Sequence, residues 1–183
     1  MRRMAQLALL STLVPAMLGG GYALAQRSYT PGPANITLPA DWQARFIRYA
    51  VVERVDRKQV MQMYVNPEAY AAAKPGEPLP QGTLLVMAAY RARLGPDGTP
   101  LRDQQGRMIP EATATGYNVQ EKQPGWGEGY GPERRNGEWE YARFQADGSR
   151  NDGSVDSCFS CHLQTRPQQD FAFNFWDDVQ TRR

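Results

Sequence analysis

Cys158-Phe159-Ser160-Cys161-His162 is the one run in this 183-residue chain whose residue types and spacing point to a definite chemistry. A C-x-x-C-H sequence is the attachment pattern for c-type haem: two thiols separated by two residues reach the two vinyl edges of one porphyrin, and the adjacent imidazole is held beneath the ring to ligate iron. Other uses of these residues fit less well. A structural zinc site wants four protein ligands, whereas the chain holds 2 cysteines and 1 histidine, all within this run. A thioredoxin-like pair wants its C-x-x-C beside a βαβ pattern, and the preceding Asp147-Gly148 and Asp152-Gly153 read as turns.

Counting constrains the other side of the iron. With His162 the single histidine, a bis-histidine cytochrome is excluded. A methionine could take the sixth position, through Met61, Met63, Met87 or Met108, but core packing is the ordinary role of such residues. Met108 stands out because it lies in a polar stretch, and if no methionine ligates, the iron is open to a small molecule.

These residues need elements to position them. The first segment is read as an address: Arg2 and Arg3, an apolar run from Leu7 to Leu18 and small residues at Ala23 and Ala25 describe a signal peptide over residues 1–25. The run is short of the roughly 20 residues that cross a bilayer. The expected location is therefore the periplasm, with no membrane span left after cleavage. Lys and Arg number 21 against 19 Asp and Glu, and removing Arg2 and Arg3 with the leader brings the two to parity. No basic excess remains for nucleic acid.

Residues 26–40, with Pro31, Pro33 and Pro39, read as a flexible arm, and 41–183 as one domain. Residues 46–55, 61–65, 83–94, 113–121 and 138–144 read as strands. Asn66-Pro67-Glu68 opens a short alanine helix that Lys74 closes before Pro75-Gly76, and a further helix is expected near the C-terminus. Residues 95–107 read as a hairpin or an inserted loop. The expected class is α+β, mainly an antiparallel sheet with a few short helices, around a covalent haem c.

The chain resembles the cytochrome P-460 family, which includes the cytochromes c′-β. The likeness rests on the strand with Arg48, on Met63-Tyr64-Val65-Asn66-Pro67 with its alanine helix, and on Pro78-Leu79-Pro80-Gln81-Gly82-Thr83. It continues through Gly125-Trp126-Gly127, Glu138-Trp139-Glu140-Tyr141 with Phe144, and Cys158 to His162 followed by Asp170-Phe171-Ala172-Phe173. The resemblance implies an antiparallel-sheet haem domain with His162 as proximal ligand and a distal pocket that handles nitrogen oxides. It also implies one of two behaviours: oxidation of hydroxylamine, in members with a lysine joined to the porphyrin, or binding of nitric oxide at a capped pocket.

Hydroxylamine oxidation is taken as the leading expectation. Lys74 is then the candidate for the cross-link, since Lys58, Lys74 and Lys122 are the 3 lysines of the chain. The competing role for Lys74 is a solvent-facing partner of a helix C-terminus. Arg48 is a candidate to meet a propionate or an anionic ligand, or else faces outward. Tyr141 and Phe144 are candidates to line the pocket or to fill the core. Asp152 and Asp156 lie near the attachment run but beside turns. Expected partners are a small nitrogen-oxide ligand or substrate and a soluble redox protein, with a homodimer left open. A Met-ligated electron carrier is the third reading.

Overall fold

The computed structural model describes residues 30–182. The signal segment expected over residues 1–25 lies outside them. Among the described residues no helix is long and apolar enough to cross a membrane.

Six antiparallel strands form one sheet in sequence order: β1 (Ile47–Arg54), β2 (Gln59–Val65), β3 (Leu84–Arg91), β4 (Gly116–Lys122), β5 (Trp139–Phe144) and β6 (Arg150–Asn151). Among the described residues four α-helices accompany it: α1 (Trp42–Arg45), α2 (Pro67–Ala72), α3 (Asp156–Thr165) and α4 (Asn174–Gln180). Every sheet connection joins neighbouring strands, so the fold is an α+β meander, in continuous register from β2 to β5.

Period-2 alternation assigns each strand residue to a face. Val65, Leu85 and Tyr141 point to a core shared with α2, α3 and α4, which includes Trp139, Phe159, Phe175 and Val179. Val86, Ala88, Tyr117, Val119 and Phe144 point the other way, into a second core closed by Ile36, Trp42 and Phe46. A bulge between Arg48 and Ala50 shifts the phase of β1, so Val52 and Arg54 come to share the cavity-side face with Tyr49, which packs on Phe175 in the first core.

Three expectations need correction. The described part of the arm is held to the sheet: Ile36 is fully buried, Gly32 N–H donates to the Glu140 carboxylate at 3.0 Å, and Arg150 donates to the Pro33 carbonyl at 2.5 Å and to the Ile36 carbonyl. Ile36 supplies the apolar contact that a prolyl-rich stretch was not expected to offer. Asn66 makes no side-chain cap for α2; its Oδ1 accepts from Leu84 N–H at 2.8 Å and so pins the start of β3. Finally, α2 ends at Ala72, leaving Lys74 beyond the helix rather than in its last turn. Residues 92–110 do form the expected excursion, as two tight turns at Gly98 and Gly106 closed by isolated bridges.

Candidate functional site

The Cys158–His162 run lies on α3, although the residues before it read as turns. Helical spacing sets Cys158, Cys161 and His162 on one face, since residues three and four apart are neighbours. Phe159, fully buried, anchors the helix: its ring meets Tyr141 at 4.6 Å and Tyr130 at 4.9 Å, and Asn136 Nδ2 donates both to the Phe159 carbonyl and to the Tyr141 hydroxyl. Anchoring one face of α3 turns the adjacent thiols and imidazole toward the sheet.

Between α3 and the sheet lies a cavity of about 510 Å³, within the range of small-molecule and cofactor sites. Cys158, Cys161 and His162 line one side; Tyr49, Met61, Met63, Leu85, Met87 and Tyr141 line the sheet side, with Asn118, Gln120, Arg54 and Arg143 as its polar members. The register explains the set: Met63 opposes Met87, Met87 opposes Asn118, and Asn118 opposes Arg143, forming one row across four strands.

His162 is set for ligation through its far nitrogen. Its Nδ1 lies 2.6 Å from the Phe171 carbonyl, which can only accept, so Nδ1 carries the proton and Nε2 keeps its lone pair. Phe173 meets the ring edge-on at 4.6 Å and Tyr141 at 4.9 Å. Burial pulls the imidazole below its ordinary pKa, against the opposing effect of the Phe171 hydrogen bond, so the neutral, ligating form is favoured. Burial likewise raises the Tyr49 and Tyr141 hydroxyls well above the usual range, leaving both protonated.

The residues fit a haem in two further respects. Both thiols are free rather than joined in a disulfide. Gln120 Nε2 and Arg143 Nε are buried at the cavity wall without a hydrogen-bond partner, a costly arrangement unless a bound group supplies acceptors.

The cavity brings together the attachment run, Tyr141 and three of the four methionines, and leaves out the other nominated residues. Met108 packs with Val60 and Ala92 in a separate cluster. Phe144 is in the second core. Arg48 is exposed and reaches the Tyr64 hydroxyl, across the sheet from His162. Lys74 is exposed beyond α2, Lys58 Nζ donates to the Gly98 carbonyl, and Lys122 is paired with Asp170, so the cavity has no lysine in its lining. Asp152 is exposed, and Asp156 faces Arg134 at 3.0 Å. Asn118, Gln120 and Arg143 were not anticipated. The signal for Asn118 and Gln120 lies in their alternation with Tyr117 and Val119 on β4, whereas β5 gives no such pattern for Arg143.

No curated protein matches the chain. The family model for cytochrome P460 matches residues 39–174, which take in the whole sheet, α3 and the start of α4. With that match over most of the chain, and a cavity suited to haem behind it, the protein belongs to the cytochrome P460 family of haem cytochromes that act on nitrogen compounds.

Proposed function

We propose that this chain is an exported cytochrome with one haem c, thioether-linked through Cys158 and Cys161 and ligated by His162, that binds nitric oxide. The observation that carries the choice is the composition of the cavity wall, in which the ionisable side chains besides the attachment run are Tyr49, Tyr141, Arg54 and Arg143. Hydroxylamine oxidation releases protons and is accelerated by side chains that accept them near neutral pH. Two tyrosines held protonated and two guanidiniums offer none, and no lysine is at hand to modify the ring. Capture of a diatomic ligand needs no proton acceptor.

Bound haem would supply an iron able to coordinate a nitrogen oxide. The chain's residues do the rest. His162 Nε2 would hold the metal, with Nδ1–H fixed on Phe171. Arg54 and Arg143 are suited to the ring's carboxylates, and the unpartnered Gln120 Nε2 and Arg143 Nε would be available to donate to a bound group. Met63 and Met87 present polarisable apolar surface to the site.

Peptide mapping of the exported holoprotein, with its ferrous spectrum and a nitric oxide titration, tests this. The expected result is an ordinary c-type spectrum, an unmodified Lys74 peptide and saturable nitric oxide binding. Hydroxylamine-dependent reduction of an acceptor dye, with a lysine peptide joined to porphyrin, would restore the enzymatic reading. A Met-ligated electron carrier is the second reading, favoured by the pairing of Met63 with Met87 in the cavity wall. A methionine-to-iron charge-transfer band in the ferric protein would select it.

A further inference from the structure

We propose that the buried ion pair Lys122–Asp170 is a positioning device for the axial histidine, acting through the backbone of Asp170 and Phe171. The proposal rests on His162 holding the haem iron.

Asp170 and Phe171 both have left-handed backbones, with φ of 48° and 54°. Neither is glycine, and a bulky residue there is a steric outlier that persists only when its surroundings enforce it. The enforcement is visible at Asp170. Its Oδ2 accepts from Lys122 Nζ at 2.7 Å and from Leu79 N–H at 2.9 Å, while Lys122 Nζ also donates to the Leu79 carbonyl at 2.9 Å. The three groups close a triangle whose two side chains are only 7% and 14% exposed. On the other side, the Phe171 ring lies over Gly137, where an added Cβ would come within 3.3 Å of it.

Fixing Asp170 by its carboxylate and Phe171 by its ring determines where the intervening backbone and the Phe171 carbonyl go. That carbonyl accepts from His162 Nδ1 at 2.6 Å. A close acceptor on Nδ1–H makes the imidazole a stronger donor through Nε2 and fixes the ring's rotation. The pair thus links β4 and the Pro78–Pro80 segment to the electronic character of the metal ligand. Lys122 thereby acquires a role although it is not part of the cavity lining.

The test uses ferrous holoprotein, reading the iron–histidine stretching frequency by resonance Raman together with the midpoint potential. Asp170→Ala is expected to lower the frequency and raise the potential, because the carbonyl drifts from Nδ1–H. Asp170→Gly is expected to keep both near the original values, since glycine adopts positive φ without enforcement. Unchanged frequency and potential in Asp170→Ala would overturn the proposal. So would equal losses in the alanine and glycine variants, which would assign the effect to the lost charge alone. Should Asp170→Ala yield no holoprotein, Lys122→Met is read in its place against the same two outcomes. Absence of any iron–histidine band in the unsubstituted protein would instead overturn the ligation by His162.

Discussion

The two faces of the sheet come from the same five long strands, one residue out of phase, and they meet different fates. On one, Trp42 packs edge-on against Tyr64 and Tyr117 at 5.1 and 5.2 Å and closes a core with Val86, Val119 and Phe144. On the other, Met63, Met87, Asn118 and Arg143 face a cavity, across which stand two thiols and an imidazole. A finished protein core has matched volumes and few orphaned polar atoms. The cavity face leaves Gln120 Nε2 and Arg143 Nε unpartnered. Incompleteness of one face, set against completion of the other, is what marks a cofactor site.

The largest break in that comparison comes from denying the incomplete face its cofactor. Cys158→Ser combined with Cys161→Ser is expected to abolish covalent haem, seen as loss of the haem mass from the denatured chain. Because the haem would fill about 510 Å³ between α3 and the sheet, the apoprotein should also melt lower than the holoprotein, as linkage to a bound group requires.

Next comes a pair of truncations, one on each face. Trp42→Ala removes a side chain 2% exposed and is expected to cost about 3–5 kcal/mol by denaturant unfolding, with nitric oxide affinity unchanged. Met87→Ala acts on a half-buried residue in the cavity wall and should cost about 1–2 kcal/mol, below the span for fully buried methionine, while changing nitric oxide dissociation. Equal effects on both readouts from both variants would erase the distinction between the faces.

Legibility in the sequence follows the same division. Strands β1 to β5 were readable because β-branched, aromatic and alternating residues report a half-buried pleat. β6, with two residues, is too short to carry a pattern. Helix α3 is hard to read from residue types for a physical reason: the face it turns to the cavity is Cys158, Cys161 and His162, so it lacks the apolar stripe that a helix packed on protein displays. The C-x-x-C-H run itself is explicit in the sequence. Lys74 and Arg48 were nominated by resemblance, and neither a one-residue phase across β1 nor the early end of α2 at Ala72 can be read from residue types.

Arginines test the phase directly. Arg48→Leu is expected to leave the midpoint potential where it was, since Arg48 meets Tyr64 on the completed face. Arg143→Leu removes a positive charge from the cavity wall and should lower the potential by less than about 59 mV, the tenfold step for one electron. A response to Arg48→Leu as large as that to Arg143→Leu would place Arg48 electrically at the haem after all.

The smallest effect is expected from Glu121, whose carboxyl burial pushes above its ordinary pKa even though Gln123 donates to it at 2.6 Å. It alternates with Gln120 and Lys122 and therefore belongs to the completed face, where ionisation gains nothing from a cofactor. A carboxyl raised on folding binds its proton more tightly in the native state, so its contribution to stability is greatest at low pH. That contribution declines as pH rises through the unfolded-state value, near 4.5, and is gone above the raised folded value. Replacing it by a neutral amide removes this pH dependence. Glu121→Gln should therefore stabilise the protein slightly at pH 7 and lose that advantage below the unfolded-state value, with the haem spectrum unchanged throughout. Paired denaturant titrations at pH 4 and pH 7 measure the difference, and stabilisation greater at the lower pH would show that the carboxylate is held by a favourable charge on that face rather than strained by burial.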